Sequence, residues 1–248
     1  MNIFIYDSFL NQKKYDRLLA RIETRITDLG LNGKISRLGM MTNIREAIGN
    51  ELRRGAKTII AVGNNKTVNQ TLNSLAGQPV PLGIIPIGQE DNDLARGLGI
   101  ESAEAACDIL AARLVAKLDL GLADKTYFIS SAAIANQGTI IDMNKSYTIE
   151  TKGGGNIYVV NCANEKIDLP PKVKSRPDDG ILELVINSQS GGFFSKQQDQ
   201  SIFKIKKITV TNPKTQLILD GATAINTPAE ITVAKKALTV IVGKNRKF

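Results

Sequence analysis

The residues best placed to do chemistry sit in two short turns. The first, Gly63-Asn64-Asn65-Lys66-Thr67, follows an apolar run at 58–62; the second spans Gly88 to Asn92 after the apolar run Leu82–Pro86. Asp93-Leu94-Ala95-Arg96 then opens a further helix. Glycine lets a chain bend sharply as it leaves a strand. The free amides and dipole of a following helix attract an anion, each dipole interaction contributing roughly 0.3–1 kcal/mol. Gly63, Asn65, Lys66, Thr67, Gly88, Asn92 and Asp93 are therefore the candidate residues for a phosphate-bearing ligand. Lys66 adds a positive charge, Asn92 is placed to cap its helix, and Asp93 falls in that helix's first turn. The alternative for the first turn is a plain βα loop, and for the second, helix capping with no ligand.

Composition narrows the chemistry further. The 248 residues contain no histidine, which removes Ser-His-Asp and Cys-His nucleophilic sites and the commonest zinc arrangements. Catalysis would have to run on carboxylates, lysine, hydroxyls, backbone amides or Mg²⁺. Cys107 and Cys162 lie far apart and read as two small buried residues of a reducing compartment. A net charge of +8 favours anionic partners: a nucleotide, an anionic lipid surface or nucleic acid. With 5% aromatics and no tryptophan, stacking on single strands is poorly supplied, and no nucleic-acid motif is present. The basic groups Lys204-Ile205-Lys206-Lys207, Lys235-Lys236 and 244–247 alternate with β-branched residues and read as solvated strand faces. No apolar run approaches the ~20 residues that span a bilayer, and residues 1–7 read as a strand rather than a leader. The expected location is the cytoplasm, with peripheral membrane contact and homo-oligomerisation left open.

These residues need elements to position them. The first half alternates strand and helix: strands at Asn2–Tyr6, 34–38, 58–62 and Leu82–Pro86, with helices between. Leu18, Leu19, Ile22, Ile26 and Leu29 form one helical stripe, and Ile44, Ala47, Ile48 and Leu52 another, opened by Asn43 and Glu46 at capping-box spacing. Helices at 67–76 and 102–114 follow. Such alternation predicts a doubly wound, mostly parallel sheet. Near residue 121 the pattern changes to short alternating strands at 126–135, 146–151, 156–161, 180–187, 202–211, 215–219, 229–233 and 237–242. The chain is thus expected to hold an α/β domain over 1–121 and an antiparallel β-sandwich over 122–248. The Gly-, Ser- and Gln-rich stretch 188–200 is expected to be a mobile loop.

The phrases and their order resemble the diacylglycerol kinase catalytic family, which includes bacterial lipid kinases and sphingosine kinases and is related to NAD kinase and 6-phosphofructokinase. The resemblance rests on Val80-Pro81-Leu82-Gly83-Ile84-Ile85-Pro86-Ile87-Gly88 with Asn92-Asp93-Leu94-Ala95-Arg96, and on Ala61-Val62-Gly63 with Thr67-Val68-Asn69-Gln70. Asp178-Asp179-Gly180-Ile181-Leu182-Glu183 and Leu219-Asp220-Gly221 extend it across nearly the whole chain. It implies an ATP- or ADP-binding cleft, a lipid-hydroxyl acceptor, a catalytic role for Asp220 and a metal-facing role for Asp179.

The departures from the family fall on its chemistry. Its glycine-glycine-aspartate-glycine turn is here Gly63-Asn64-Asn65-Lys66, so Asn65 stands where an acid is expected. Mg²⁺ prefers carboxylate oxygen, which an amide does not supply. Ala222 stands where the family's late glutamate is expected, and Asp7-Ser8-Phe9-Leu10-Asn11 replaces its Asn-Pro nucleotide loop. Gln89-Glu90-Asp91 lengthens the second turn by one residue, 132–138 lacks the family's glycine-phenylalanine-aspartate phrase, and the segment before Asn156 is short. The expectation is a nucleotide-binding scaffold without its Mg²⁺ site, whose lipid phosphorylation is weak or lost; the alternative is an active ATP-dependent lipid kinase.

Overall fold

Four strands, β1 (Asn2–Tyr6), β2 (Gly33–Arg37), β3 (Thr58–Gly63) and β4 (Leu82–Pro86), run parallel in the order β2-β1-β3-β4. β3 and β4 are buried at every position, as continuous apolar runs must be when helices cover both faces of a sheet. β2 is the exposed edge, and its Lys34 and Arg37 suit a strand that must not pair further. The computed structural model describes residues 1–88, 92–144, 146–163, 167, 169–170, 173, 175–190, 197–246 and 248. They divide into two compact units, Met1–Leu118 together with Lys236–Lys247, and Asp119–Lys235 with Phe248.

In the first unit the strands alternate with α1 (Asp16–Asp28), α2 (Ile44–Arg53), α3 (Asn65–Leu75), α4 (Asp93–Gly97) and α5 (Ala103–Ala112). α1 buries Leu19, Ile22 and Ile26, while Leu18 and Leu29 at the margins of its predicted stripe are only half-buried. α2 departs more from its pattern: Ala47 and Leu52 are half-buried and Glu51 is buried instead. That carboxylate is compensated by Lys34 Nζ at 2.6 Å and Arg54 Nη1 at 3.0 Å, which hold its pKa below the usual glutamate value. Asn43 caps α2 by accepting from Arg45 N at 2.9 Å, and Ser102 caps α5 by accepting from Ala105 N at 3.1 Å.

The second unit is built of strands that bury alternate residues. In chain order they are β5 (Val115–Ala123), which begins in the first unit, β6 (Thr126–Phe128), β7 (Ser131–Ala135), β8 (Ile140–Asp142), β9 (Thr148–Glu150), β10 (Asn156–Val160), β11 (Leu182–Ser190), β12 (Gln197–Ile205), β13 (Lys207–Thr211), β14 (Leu217–Leu219), β15 (Thr223–Ile225) and β16 (Ala229–Ile241). One antiparallel sheet has the order β12-β11-β10-β7-β14-β15. β9, β8, β13 and the first part of β16 pair antiparallel in a second layer. Ile134, Ile157, Val159, Leu184 and Ile186 from the first layer share a core with Ile141, Ile208, Val210 and Ile231 from the second. The result is the expected β-sandwich. Gly121 pairs with Phe128, whose ring would lie 2.0 Å from any β-carbon at 121, so only glycine fits there.

Several element expectations need correction. The run 126–135 is two strands with a turn between, and 202–211 breaks at Lys206. The two runs at 229–242 form one long strand, whose end returns to the first unit, where Val240 pairs parallel with Leu82. β5, β8 and β15 were not expected. Most of the predicted loop at 188–200 is instead hairpin: β11 and β12 pair out to Ser190 and Gln197, and residues 191–196 lie outside the described residues.

Candidate functional site

In a sheet ordered β2-β1-β3-β4 the chain leaves β1 toward one edge and β3 toward the other. The crevice at the carboxyl ends of β1 and β3 is thus the place where open α/β sheets hold ligands. Two side chains stand there that the sequence did not single out: Asp7, one residue past β1, and Asn64, one residue past β3. Asp7 Oδ1 accepts from Phe9 N at 3.2 Å and its Oδ2 from Thr67 Oγ1 at 2.6 Å, which ties the β1 loop to the first turn of α3. Asn64 Oδ1 accepts from Lys66 N at 3.1 Å and Thr67 N at 3.3 Å.

The expected anion-binding amides are therefore present but already hold their own chain's oxygen. Such a cap contributes about 1 kcal/mol, an amount a charged ligand can displace. Gly63 is required by the same closeness: a β-carbon there would meet Thr67 Oγ1 at 2.3 Å. Lys66 is exposed at the mouth of the crevice.

Asn65 points away from this crevice. It is 6% exposed, and its Oδ1 accepts from Leu94 N at 3.3 Å, joining α3 to the first turn of α4. Asn92, expected to cap α4, makes no capping bond with its side chain; Nδ2 donates instead to Gly88 O at 2.9 Å and holds the second turn. The reason is that Asn65 already occupies an α4 amide. Asp93 is buried and pairs with Arg96. Gln89, Glu90 and Asp91 lie outside the described residues. Asn69, one helical turn beyond Asn65 on α3, is buried, and neither polar atom of its amide has a partner among the described residues.

Two cavities flank Phe9 and Asn64, which line both. One, of about 760 Å³, is bounded by Asp7, Asn43, Lys66 and Gln70, with the nearly fully exposed Met40 and Met41 at its rim. The other, of about 640 Å³, takes in Lys14, Tyr15 and Gly88. Both volumes suit a small molecule the size of a nucleotide. Among the described residues the donors do not fit Mg²⁺, which takes a near-octahedral shell of oxygen that includes carboxylate, because the one carboxylate lining the crevice, Asp7, already accepts from Phe9 N and Thr67 Oγ1. The Asn65 oxygen is neutral and engaged by Leu94, Asp93 is engaged by Arg96, and among the described residues no three His, Cys, Asp or Glu side chains converge.

The remaining candidates belong to the second unit. Asp220 is buried, with Oδ2 accepting from Ile129 N at 2.9 Å and Oδ1 from Ser130 N at 2.8 Å and Ser131 N at 3.0 Å. Burial pushes its carboxyl up to about 6, against the opposing pull of these three amides. With both oxygens committed it acts as a structural clasp between the turn after β14 and the start of β7. Burial, with a smaller contribution from Asp220, pushes the Cys162 thiol up to about 12, and burial pushes Cys107 to about 11. Both cysteines are free and buried, as expected. Asp179 Oδ1 accepts from Ile181 N at 3.0 Å, and the adjoining Gly180 N donates to Asp119 Oδ2 at 2.6 Å. Asp179 thus shapes a turn. Ala222 is exposed.

Comparison with known proteins places these features in context. The model of the diacylglycerol kinase catalytic domain matches residues 2–123. A curated diacylglycerol kinase of Staphylococcus haemolyticus is 39% identical over 85 residues, 33% of this chain and 26% of its own length. One from Staphylococcus saprophyticus is 25% identical over 132 residues, 52% of this chain and 43% of its own length. The matched part of the chain therefore spans less than half of these relatives. A crystal structure of a diacylglycerol kinase from Bacillus anthracis superposes with a TM-score of 0.79, covering 98% of this chain and 97% of that one. At 20% identity that likeness concerns the fold alone. Among the described residues no helix is long and apolar enough to cross a membrane.

Proposed function

This chain belongs to the diacylglycerol kinase catalytic-domain family, and we propose that it binds an adenine nucleotide while transferring phosphate to lipid weakly or not at all. The observation that carries this reading is Asn65. Where a metal-binding acid is expected, a neutral amide is buried and engaged with Leu94 N.

Nucleotide binding is supported by the cavities at the β1–β3 crevice and by the α3 amides that a phosphate oxygen can take over from Asn64. Lys66 at the mouth supplies a counter-charge. The binding is independent of Mg²⁺ on this reading, because the helix N-terminus and Lys66 do the neutralising. Asp7, whose carboxylate lies against Thr67, weakens a phosphate there and limits the affinity.

Transfer is a different demand. A bound metal supplies several kcal/mol of transition-state stabilisation, and about 4 kcal/mol is a thousandfold in rate. Asp220 offers no substitute, since its oxygens accept backbone amides. The test is incubation of purified protein with radiolabelled ATP, Mg²⁺ and diacylglycerol in mixed micelles. Phosphatidic acid at the level of a heat-killed control is expected. Robust production would instead establish an active ATP-dependent lipid kinase.

A further inference from the structure

The second unit contains a cavity that the nucleotide reading leaves unused. It measures about 360 Å³ and lies between the β8–β9 hairpin and the junction of β12 and β13. Met143, Tyr147, Ile181 and Ile205 contribute apolar walls, and Lys204, Lys206 and Lys207 line it with three ammonium groups. Among the described residues no acid lines it. The strand pattern explains the arrangement: Ile205 is buried while its neighbours Lys204 and Lys206 are exposed, as alternation along a strand requires. Lys207 is paired with Glu230 at 2.7 Å, and Lys204 stands opposite the buried Glu183 in the ladder, so the local field is positive without being fully unbalanced. Tyr147 at the edge is 52% exposed, and Ile140 on the same hairpin is 41% exposed.

We propose that this lysine-lined, apolar-floored cavity docks the unit on an anionic phospholipid surface, seating a headgroup among Lys204, Lys206 and Lys207 with Tyr147 at the lipid interface. Charge complementarity selects the occupant. Lysines near an anionic leaflet are attracted to it, and an amphipathic ring such as tyrosine settles at headgroup level. An uncharged apolar partner would leave the excess positive charge of the cavity unanswered, since only Lys207 has an acid in ion-pair contact among the described residues. This inference does not depend on nucleotide binding.

The chain has no tryptophan, so Tyr147→Trp installs a single reporter of the site. With vesicles of phosphatidylcholine containing phosphatidylglycerol, its emission is expected to shift to the blue and to be quenched by brominated acyl chains. Phosphatidylcholine alone should give no shift, and raised salt should reverse it. In sedimentation with the same vesicles, Lys204→Glu with Lys206→Glu should lower partitioning by well over tenfold, at roughly fivefold per lysine lost and more for charge reversal. Lys57→Glu with Lys125→Glu makes the same charge change at exposed lysines outside the cavity and should have a clearly smaller effect. Equal losses in both pairs, or no blue shift on anionic vesicles, would overturn the proposal. So would full displacement by soluble glycerol phosphate, which would identify a free-phosphate site instead. Circular dichroism of each variant verifies that it is folded.

Discussion

Clustered backbone amides are filled by a side chain of the same protein at two places that contrast in burial and charge. At the start of α3, the amides of Lys66 and Thr67 receive the neutral oxygen of Asn64 at 3.1 and 3.3 Å, beside open cavities. At the start of β7, the amides of Ile129, Ser130 and Ser131 receive the Asp220 carboxylate at 2.8–3.0 Å, with no access to solvent beyond a trace. The first is a cap that an incoming anion can replace. The second is a clasp that nothing replaces without unfolding. On the proposed function the same interaction guards a ligand site in one unit and supplies stability in the other, and the difference lies in burial and charge.

The clasp gives the largest expected effect. Asp220→Ala leaves three buried amides without an acceptor, and we expect a loss of about 3 kcal/mol or more, read by chemical denaturation of the full chain. A loss below about 1 kcal/mol would remove the distinction between clasp and cap. The clasp also has a pH signature. Burial raises the native carboxyl from 3.8 to about 6, so the native state holds this proton more tightly than the unfolded chain. The increment of stability linked to this proton, separate from the amide bonds themselves, is complete below about 3.8 and is lost as pH rises through 6. Carboxyl resonances in a ¹³C-labelled sample should show one aspartate titrating near that upper value; a value below its ordinary one would show that the amides outweigh burial.

Smaller effects are expected around α3. Asn65→Ala exposes the need of Leu94 N for an acceptor and should cost about 1–2 kcal/mol, with ADP affinity little changed because Asn65 faces α4 rather than the crevice. Asn64→Ala should cost about 1 kcal/mol of stability and at the same time tighten ADP several-fold by freeing the α3 amides. Opposite signs in the two readouts distinguish a displaceable cap from a purely structural one. The smallest effect is an expected non-event: Cys107 and Cys162, buried with thiols pushed to about 11 and 12, should stay unmodified by a thiol reagent at pH 8 in the native protein.

The parallel sheet was legible because β3 and β4 are continuous, fully buried runs, β3 ending in Gly63 and β4 followed two residues on by Gly88, a pattern with few other structural solutions. The sandwich was legible in outline through its alternation. Its strand limits were read less well: the break at Lys206 is marked only by a one-residue slip, with Lys206 and Lys207 both exposed between buried Ile205 and Ile208. Within the site, Gly63 and Thr67 could be read from spacing, since the helix start demands them. Asp7 and Asn64 could not, because their roles depend on β1 and β3 being neighbours, and Asp7 meets Thr67 across sixty residues of chain. A signal existed in retrospect: both are short polar residues directly following buried strands, at a switch point that the sheet order defines. Asn65 took over the α4 amide expected of Asn92 for the same reason, since the contact between α3 and α4 is tertiary.

The proposed function assigns neutralisation of phosphate in the crevice to the α3 amides and Lys66 rather than to a metal. Calorimetric titration of the protein with ADP, run once with Mg²⁺ and once with a chelator, addresses this directly. Equal affinity in the two titrations is the predicted result. Binding that appears only when Mg²⁺ is present would contradict it.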